Sequence, residues 1–236
     1  MRIHAVIPAA GQGKRLGGNV KKQFLSLCGL PIAVHTLAVF QRSPLIDEII
    51  CIAPKEDLPF FERLVSDHSL TKVAKLLPGG ERRQDSVLAG LFYLEGRSDP
   101  DGLVAVHDAV RPLVTTELIE RVVEGAKGEA GAVAALPVAD SLKEVSSDRM
   151  ILKSLSRESV WAMQTPQVFR LGTLIEAYRR AAAEGWEGTD EAMLVERLGL
   201  PIRCVEGSIE NIKITTPPDL HFAETLLRAR GGGIHR

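Results

Sequence analysis

Cysteine is scarce in this chain. Among 236 residues there are only Cys28, Cys51 and Cys204, far apart and odd in number. That argues against a disulfide framework, leaves no metal-ligand spacing, and fits a reducing compartment. Excess charge is missing too. The 29 Lys and Arg nearly balance the 30 Asp and Glu, for a net charge of −1. No bulk field therefore draws the chain to nucleic acid or a membrane, although a local basic cluster can still hold a small polyanion. No apolar run reaches the ~18 residues needed to span a bilayer. The N-terminus enters a strand without a signal-peptide pattern, and no repeat or low-complexity block is present. What remains is 45% hydrophobic and 25% charged, ordinary for a soluble globular protein. A cytoplasmic enzyme is the default expectation.

The pattern of apolar residues alternates between strand and helix. Ile3 to Ile7 and Ala130 to Leu136 read as buried strands, Glu48 to Ala53 and Lys72 to Leu77 as strands, and Leu103 to Val106 as a short apolar strand. Between them, Pro31 to Gln41, Leu58 to Val65 and Arg83 to Glu95 read as helices, and Thr115 or Thr116 caps a fourth that runs to about Ala126. This is an α/β pattern: a mainly parallel twisted sheet with helices on both faces. It breaks from Pro137 to Trp161, a polar stretch with short β-like pieces that is too long for a routine connection. It then resumes with helices Leu171 to Glu184 and Asp190 to Leu198, strands Pro201 to Val205 and Ile212 to Ile214, and a last helix from about Asp219 to Arg230.

In a parallel sheet the strand ends matter most, because ligands bind outside their carboxyl edges. The first strand runs into Pro8-Ala9-Ala10-Gly11-Gln12-Gly13-Lys14-Arg15, with Lys22 seven residues on. Small residues let backbone N–H groups approach phosphates, and the cations cover their charge. The spacing is neither that of a P-loop nor that of a dinucleotide fingerprint, whose third glycine would fall one place before Gly17. The third strand leads into Gly79-Gly80-Glu81-Arg82-Arg83 and Ser86, glycines entering a helix N-terminus that favours anions; read alone, this is a glycine turn. The fourth ends in His107-Asp108-Ala109-Val110-Arg111-Pro112. There Asp108 is either a Mg²⁺ or hydroxyl ligand or a turn-former paired with Arg111. Lys213, between Ile212 and Ile214, must point to solvent or to a partner, and reads equally as an edge-strand lysine. Thr165 and Thr189 supply hydroxyls at loop positions, with Thr189 also readable as a helix cap.

Six of these segments in one order carry a resemblance: Pro8 to Arg15, Lys22-Gln23, Gly79 to Val87, His107 to Pro112, Thr165-Pro166-Gln167, and Asn211-Ile212-Lys213-Ile214-Thr215. Together they resemble the 2-C-methyl-D-erythritol 4-phosphate cytidylyltransferase family over nearly the whole chain. The resemblance implies one cytidylyltransferase domain over residues 1–236, with the 137–161 stretch as a projecting β-arm that joins two subunits. It implies transfer of CMP from CTP to methylerythritol phosphate by in-line attack on the α-phosphate, with Mg²⁺. By resemblance, Arg15, Lys22 and Lys213 handle phosphate charge, and Asp108 lies near ribose, metal and acceptor. Pro8, Ala9, Ala10, Gly11, Gly13, Gly79, Gly80, Glu81, Arg83 and Ser86 belong to the CTP site. Ser141, Arg157, Thr165 and Thr189 hold the acceptor, with Arg157 reaching across from the partner subunit of a homodimer. This chain has Ser141 where many relatives have Thr, and Val110 where Ala is commoner. Lys21 stands where Pro is usual, so the choice of Lys22 over Lys21 as phosphate contact rests on the alignment of that one segment. A cytidylyltransferase for another polyol phosphate, such as ribitol 5-phosphate, would share the nucleotide half and differ around Arg157, Thr165 and Thr189.

Overall fold

The apolar run Ile3–Pro8 forms β1, buried along nearly its whole length. The computed structural model describes residues 1–11 and 21–231. A short ribbon of β2 (Ser26–Leu27) and β3 (Leu30–Pro31) follows β1. Then come α1 (Ile32–Arg42), β4 (Glu48–Ala53), α2 (Leu58–Asp67), β5 (Val73–Pro78), α3 (Arg83–Leu94), β6 (Leu103–Val106), α4 (Thr116–Ala126) and β7 (Gly131–Pro137). The chain continues through β8 (Leu142–Val145), β9 (Ile151–Leu155), β10 (Trp161–Arg170), α5 (Leu171–Glu184), α6 (Glu191–Glu196), β11 (Ile202–Glu206) and α7 (Pro217–Ala229).

Seven strands share one sheet in the order β11-β7-β10-β6-β1-β4-β5. β1 is parallel to β4 and β6, β4 to β5, and β7 to β11, whereas β10 runs antiparallel to both its neighbours. The mainly parallel expectation holds. From β1 the chain builds outward to β4 and β5, then crosses back to β6 on the other side of β1. The strand order therefore reverses between β1 and β6, which opens a crevice at their carboxyl ends.

Alternation of side chains along each strand feeds two cores. Ala5 and Ile7 of β1 join a cluster with Leu37 and Phe40 of α1 and Leu118 and Val122 of α4. Val6 faces the other way, into a cluster with Val87 and Leu91 of α3 and Leu174 and Tyr178 of α5. A third, smaller cluster unites Leu27, Ile32, Val110, Leu113, Ile214 and Ala223. It anchors α7, and with it the Lys213 segment, to the loop that follows β6.

Four local expectations change. Ile212 to Ile214 is not a strand; the segment is irregular and held by the Ile214 N–H on the Val110 carbonyl at 2.9 Å. β10 is unexpected, because Thr165-Pro166 reads as a loop signal and proline is rare inside a strand. The ladder absorbs it through a register shift between Met163 and Gln167, the kind of irregularity that re-aims a side chain beside a site. The cap of α6 is Asp190, whose carboxylate accepts the Met193 N–H at 3.0 Å, not Thr189. Finally, α7 takes in Pro217 and Pro218 as its first turn, with Thr216 and Asp219 forming a capping box; proline needs no N–H partner there.

The 137–161 stretch is a β-hairpin. β8 and β9 pair with each other and with no other described strand. Ile151 is 67% exposed and Leu152 59%, an unusual state for large aliphatic side chains.

Candidate active site

The crevice between β1 and β6 is a cleft of about 280 Å³. Its floor is the end of β1 and the small residues after it, Pro8, Ala9, Ala10 and Gly11. One wall is Gly80, Glu81, Arg83 and Ser86, and the other brings Asp108, Lys213 and Lys22 together. The glycines permit this shape. A Cβ on Gly79 would sit 2.3 Å from the Ala10 Cβ, and one on Gly80 would sit 2.4 Å from the Asp85 Cβ. Only bare backbone lets the two loops close on each other. The Gly80 N–H donates to the Ser86 hydroxyl at 3.2 Å, and Asp85 closes a capping box with Arg82 at the start of α3.

Arg15 and Gly13, both expected in the phosphate loop, lie outside the described residues. The two lysines that follow that loop separate cleanly. Lys21 Nζ is held by Glu56 at 2.5 Å and Asp57 at 2.6 Å. Lys22 lines the cleft.

Asp108 is the hub of the charge network. Its Oδ1 accepts from Arg83 Nε at 2.8 Å and its Oδ2 from Lys213 Nζ at 2.7 Å, while Arg111 Nε stands 3.8 Å from Oδ2. Burial alone would raise its carboxyl, but Arg83, Lys213 and Arg111 outweigh that and hold it far below the ordinary carboxylate range. Arg83 is itself clamped, donating to Glu191 through Nη1 at 2.7 Å and Nη2 at 3.0 Å. Tyr178 donates its hydroxyl to the same carboxylate at 2.9 Å. Arg83, expected as a CTP contact, lines the cleft while donating to Asp108 and Glu191.

His107 is buried and neutral, pushed down to about 3 by burial. Its Nε2 lies 3.2 Å from the Arg111 carbonyl, an obligate acceptor, so Nε2 carries the proton. Nδ1 then accepts from the Thr165 hydroxyl at 3.0 Å, and the Thr165 oxygen accepts the Asp108 N–H at 3.2 Å. Thr165 thus fixes the strand end that carries Asp108.

A second pocket adjoins the cleft across this hub, lined by Arg83, Asp108, Lys213, Thr165, Thr189 and Gln167 among others. Asn211 is buried behind Thr165 and donates to its carbonyl at 2.7 Å. Ser141 and Arg157 are not brought here. Both are exposed on or beside the hairpin, and Arg157 hydrogen-bonds the Ala139 carbonyl of its own chain.

Among the described residues no cluster of three or more carboxylate, histidine or cysteine side chains could cage a metal. Asp108 fits Mg²⁺ in donor type, a hard oxygen held ionised. Its oxygens already contact cations, so such an ion would draw most of its ligands from elsewhere. Sequence reasoning misses Glu191, which reads as a routine first-turn acid of α6, and gives no role to Gln23, although Gln23 stands in the Lys22-Gln23 motif.

A parallel-type crevice with small-residue loops, two adjoining pockets and a shared carboxylate–cation hub defines a nucleotide-using group-transfer enzyme. The comparisons with known proteins make it particular. The family model described as "IspD: 2-C-methyl-D-erythritol 4-phosphate cytidylyltransferase" matches residues 3–229, and the chain belongs to that family. A protein of that name from Geotalea uraniireducens is 46% identical over 97% of this chain and 98% of its own. The solved structure of the Thermus thermophilus protein of that name is 36% identical, with a TM-score of 0.79 over 97% of this chain and 100% of that one. The Francisella tularensis structure is 32% identical, with a TM-score of 0.81 over 95% and 99%.

Proposed function

We infer that this chain transfers CMP from CTP to 2-C-methyl-D-erythritol 4-phosphate, giving 4-diphosphocytidyl-2-C-methyl-D-erythritol and pyrophosphate. The observation that carries the reading, beside the family itself, is that two pockets meet at one hub. CTP occupies the β1–α3 cleft, the acceptor occupies the Thr165–Thr189 pocket, and the reacting atoms meet over Asp108 and Lys213.

The acceptor's phosphate oxygen attacks the α-phosphorus in line, and pyrophosphate leaves. The attacker is already an anion, so no strong general base is needed. The site's task is to bring two anions together and to stabilise charge on the α-phosphate. Lys213 suits this, since its ammonium rests on Asp108 yet stays partly open, its side chain 35% accessible. Lys22, lining the same cleft, adds charge, and Arg15 is assigned the same task from the motif alone. Asp108 stays ionised and orients Lys213. Neutral His107, locked through Thr165, keeps Asp108 at the mouth of the crevice. Asp108 would be the protein ligand of a Mg²⁺ ion, which when bound would supply further positive charge to the phosphates.

We place the enzyme in the cytoplasm as a homodimer, and assign Ser141 and Arg157 to the acceptor site of the partner subunit. The three unpaired cysteines support a reducing compartment. The exposed aliphatic hairpin supports self-association.

Pyrophosphate release, with the four nucleoside triphosphates crossed against polyol phosphates, tests the reading. CTP with methylerythritol phosphate should exceed UTP, ATP or GTP by about two orders of magnitude, the usual cost of mispaired buried polar groups. Comparable rates with purine nucleotides would overturn the pocket assignment.

A further inference from the structure

Gln23 is a buried carboxamide that the other described residues leave unpaired. It is 1% exposed, and neither its Nε2 nor its Oε1 has a hydrogen-bond partner among the described residues. The other two buried glutamines among the described residues are treated differently. Gln164 donates to the Ser208 carbonyl at 2.8 Å and accepts from Asn211 at 3.2 Å. Gln167 donates to Asp190 at 2.9 Å and accepts the Ala192 N–H at 3.0 Å. Buried polar groups are normally paired, and one that is not calls for an explanation.

Nor is Gln23 in a loose segment. Lys21, two residues before it, is tied to Glu56 and Asp57. Phe24, directly after it, packs edge-on against Phe60 at 4.9 Å and also against Phe61 at 5.2 Å. The Phe24 and Leu25 N–H groups close the turn on the Lys21 and Lys22 carbonyls. So the turn is pinned on both sides of Gln23, to the turn that precedes α2 through Lys21 and to α2 through Phe24, while Gln23 itself lines the cleft with Lys22, Asp108 and Lys213.

We propose that Gln23 is a substrate-contacting residue: its Nε2 donates to a phosphate oxygen of bound CTP, and its Oε1 accepts from an ammonium group gathered on the same phosphate. A triphosphate offers acceptors only, and the lysines of the cleft offer donors only, so an amide can bridge the two without adding charge. This rests on the CTP reading above. Among the described residues the amide is desolvated and unpaired, and CTP supplies what it lacks.

The test exploits opposite signs. Gln23→Met keeps the side chain's size and removes both orphaned atoms. Replacing an unpaired buried polar group by an apolar one does not destabilise the fold, so the ligand-free melting temperature should equal or exceed that of wild type. At the same time kcat/KM for CTP should fall at least about tenfold, as for a lost hydrogen bond to a charged group, with KM for the acceptor unchanged. Gln23→Leu should behave alike. If either variant melts clearly below wild type, the amide has a structural role and the proposal fails. It fails equally if kcat/KM for CTP stays within twofold, or if the loss falls on the acceptor instead. Wild-type enzyme assayed in parallel separates the two levels: no CTP turnover there overturns the functional reading rather than the role of Gln23.

Discussion

The cleft at the β1–β6 crevice and the β8–β9 hairpin are built on opposite terms. Much of the cleft lies at the ends of strands of one sheet: Pro8 ends β1, Gly79 follows β5 and Asp108 follows β6. Its charges are matched within the chain, with Asp108 between Arg83 and Lys213. The hairpin pairs with no other described strand and shows Val145, Met150, Ile151 and Leu152 to solvent. It carries Ser141 and Arg157 away from both pockets of their own chain's site. The difference is that the described cleft residues meet within one chain, whereas Ser141 and Arg157 reach an acceptor pocket only in the proposed homodimer.

The largest effects belong to the cleft. Lys22→Ala and Lys213→Ala should each cut turnover by about 10²-fold or more, the scale for losing one transition-state donor. Lys21→Ala, whose ammonium is committed to Glu56 and Asp57, should cost far less. Steady-state kinetics on the three variants decides, and a damaging Lys21→Ala beside a mild Lys22→Ala would reverse the assignment. Gly79→Ala comes next. Its Cβ would lie 2.3 Å from the Ala10 Cβ, so the β1 loop must shift. KM for CTP should rise about tenfold, with a stability loss of roughly 1–3 kcal/mol. Ser141→Ala on the hairpin should leave both CTP binding and melting temperature alone, and equal damage from the two would erase the contrast.

A smaller effect probes the rigidity of the cleft. His107 is held neutral by burial, down to about 3 against 6.5 when unfolded. Only the unfolded chain gains this proton as pH falls below about 6.5, so the stability it protects is fully present above that value and is lost on acidification toward 3. Unfolding free energies from urea titrations between pH 7.5 and 5 should fall by up to about 1.4 kcal/mol per pH unit for His107, with His4 and His35, also lowered by burial, adding in the same direction. A flat profile would mean that His107 takes up its proton in the folded state.

The cleft is also the more legible region. Small residues after an apolar strand, glycines entering a helix and an acid at a strand end each announce backbone geometry, and the sheet brings them together as the spacing requires. Burial by distant elements leaves no such mark. Glu191 looks like any first-turn acid, yet α5 and Arg83 enclose it. Thr165-Pro166 carries the chemistry of a turn but sits in β10, because a register shift accommodates it. Lys213 reads like an edge-strand residue and proves to be held by the packing of Ile214 against Val110. The hairpin is readable only as an interruption of the α/β rhythm, since two short solvent-facing strands carry no hydrophobic periodicity.

Mixed subunits test the division of labour most directly. Arg157→Ala and Lys213→Ala enzymes, each nearly inactive alone, are combined and allowed to exchange. If the hairpin of one chain completes the acceptor pocket of the other, a mixed dimer has one site with both lesions and one with neither, and activity returns toward roughly half of wild type per mixed dimer. If Arg157 serves its own chain, every site keeps a lesion and mixing restores nothing, which would contradict the account.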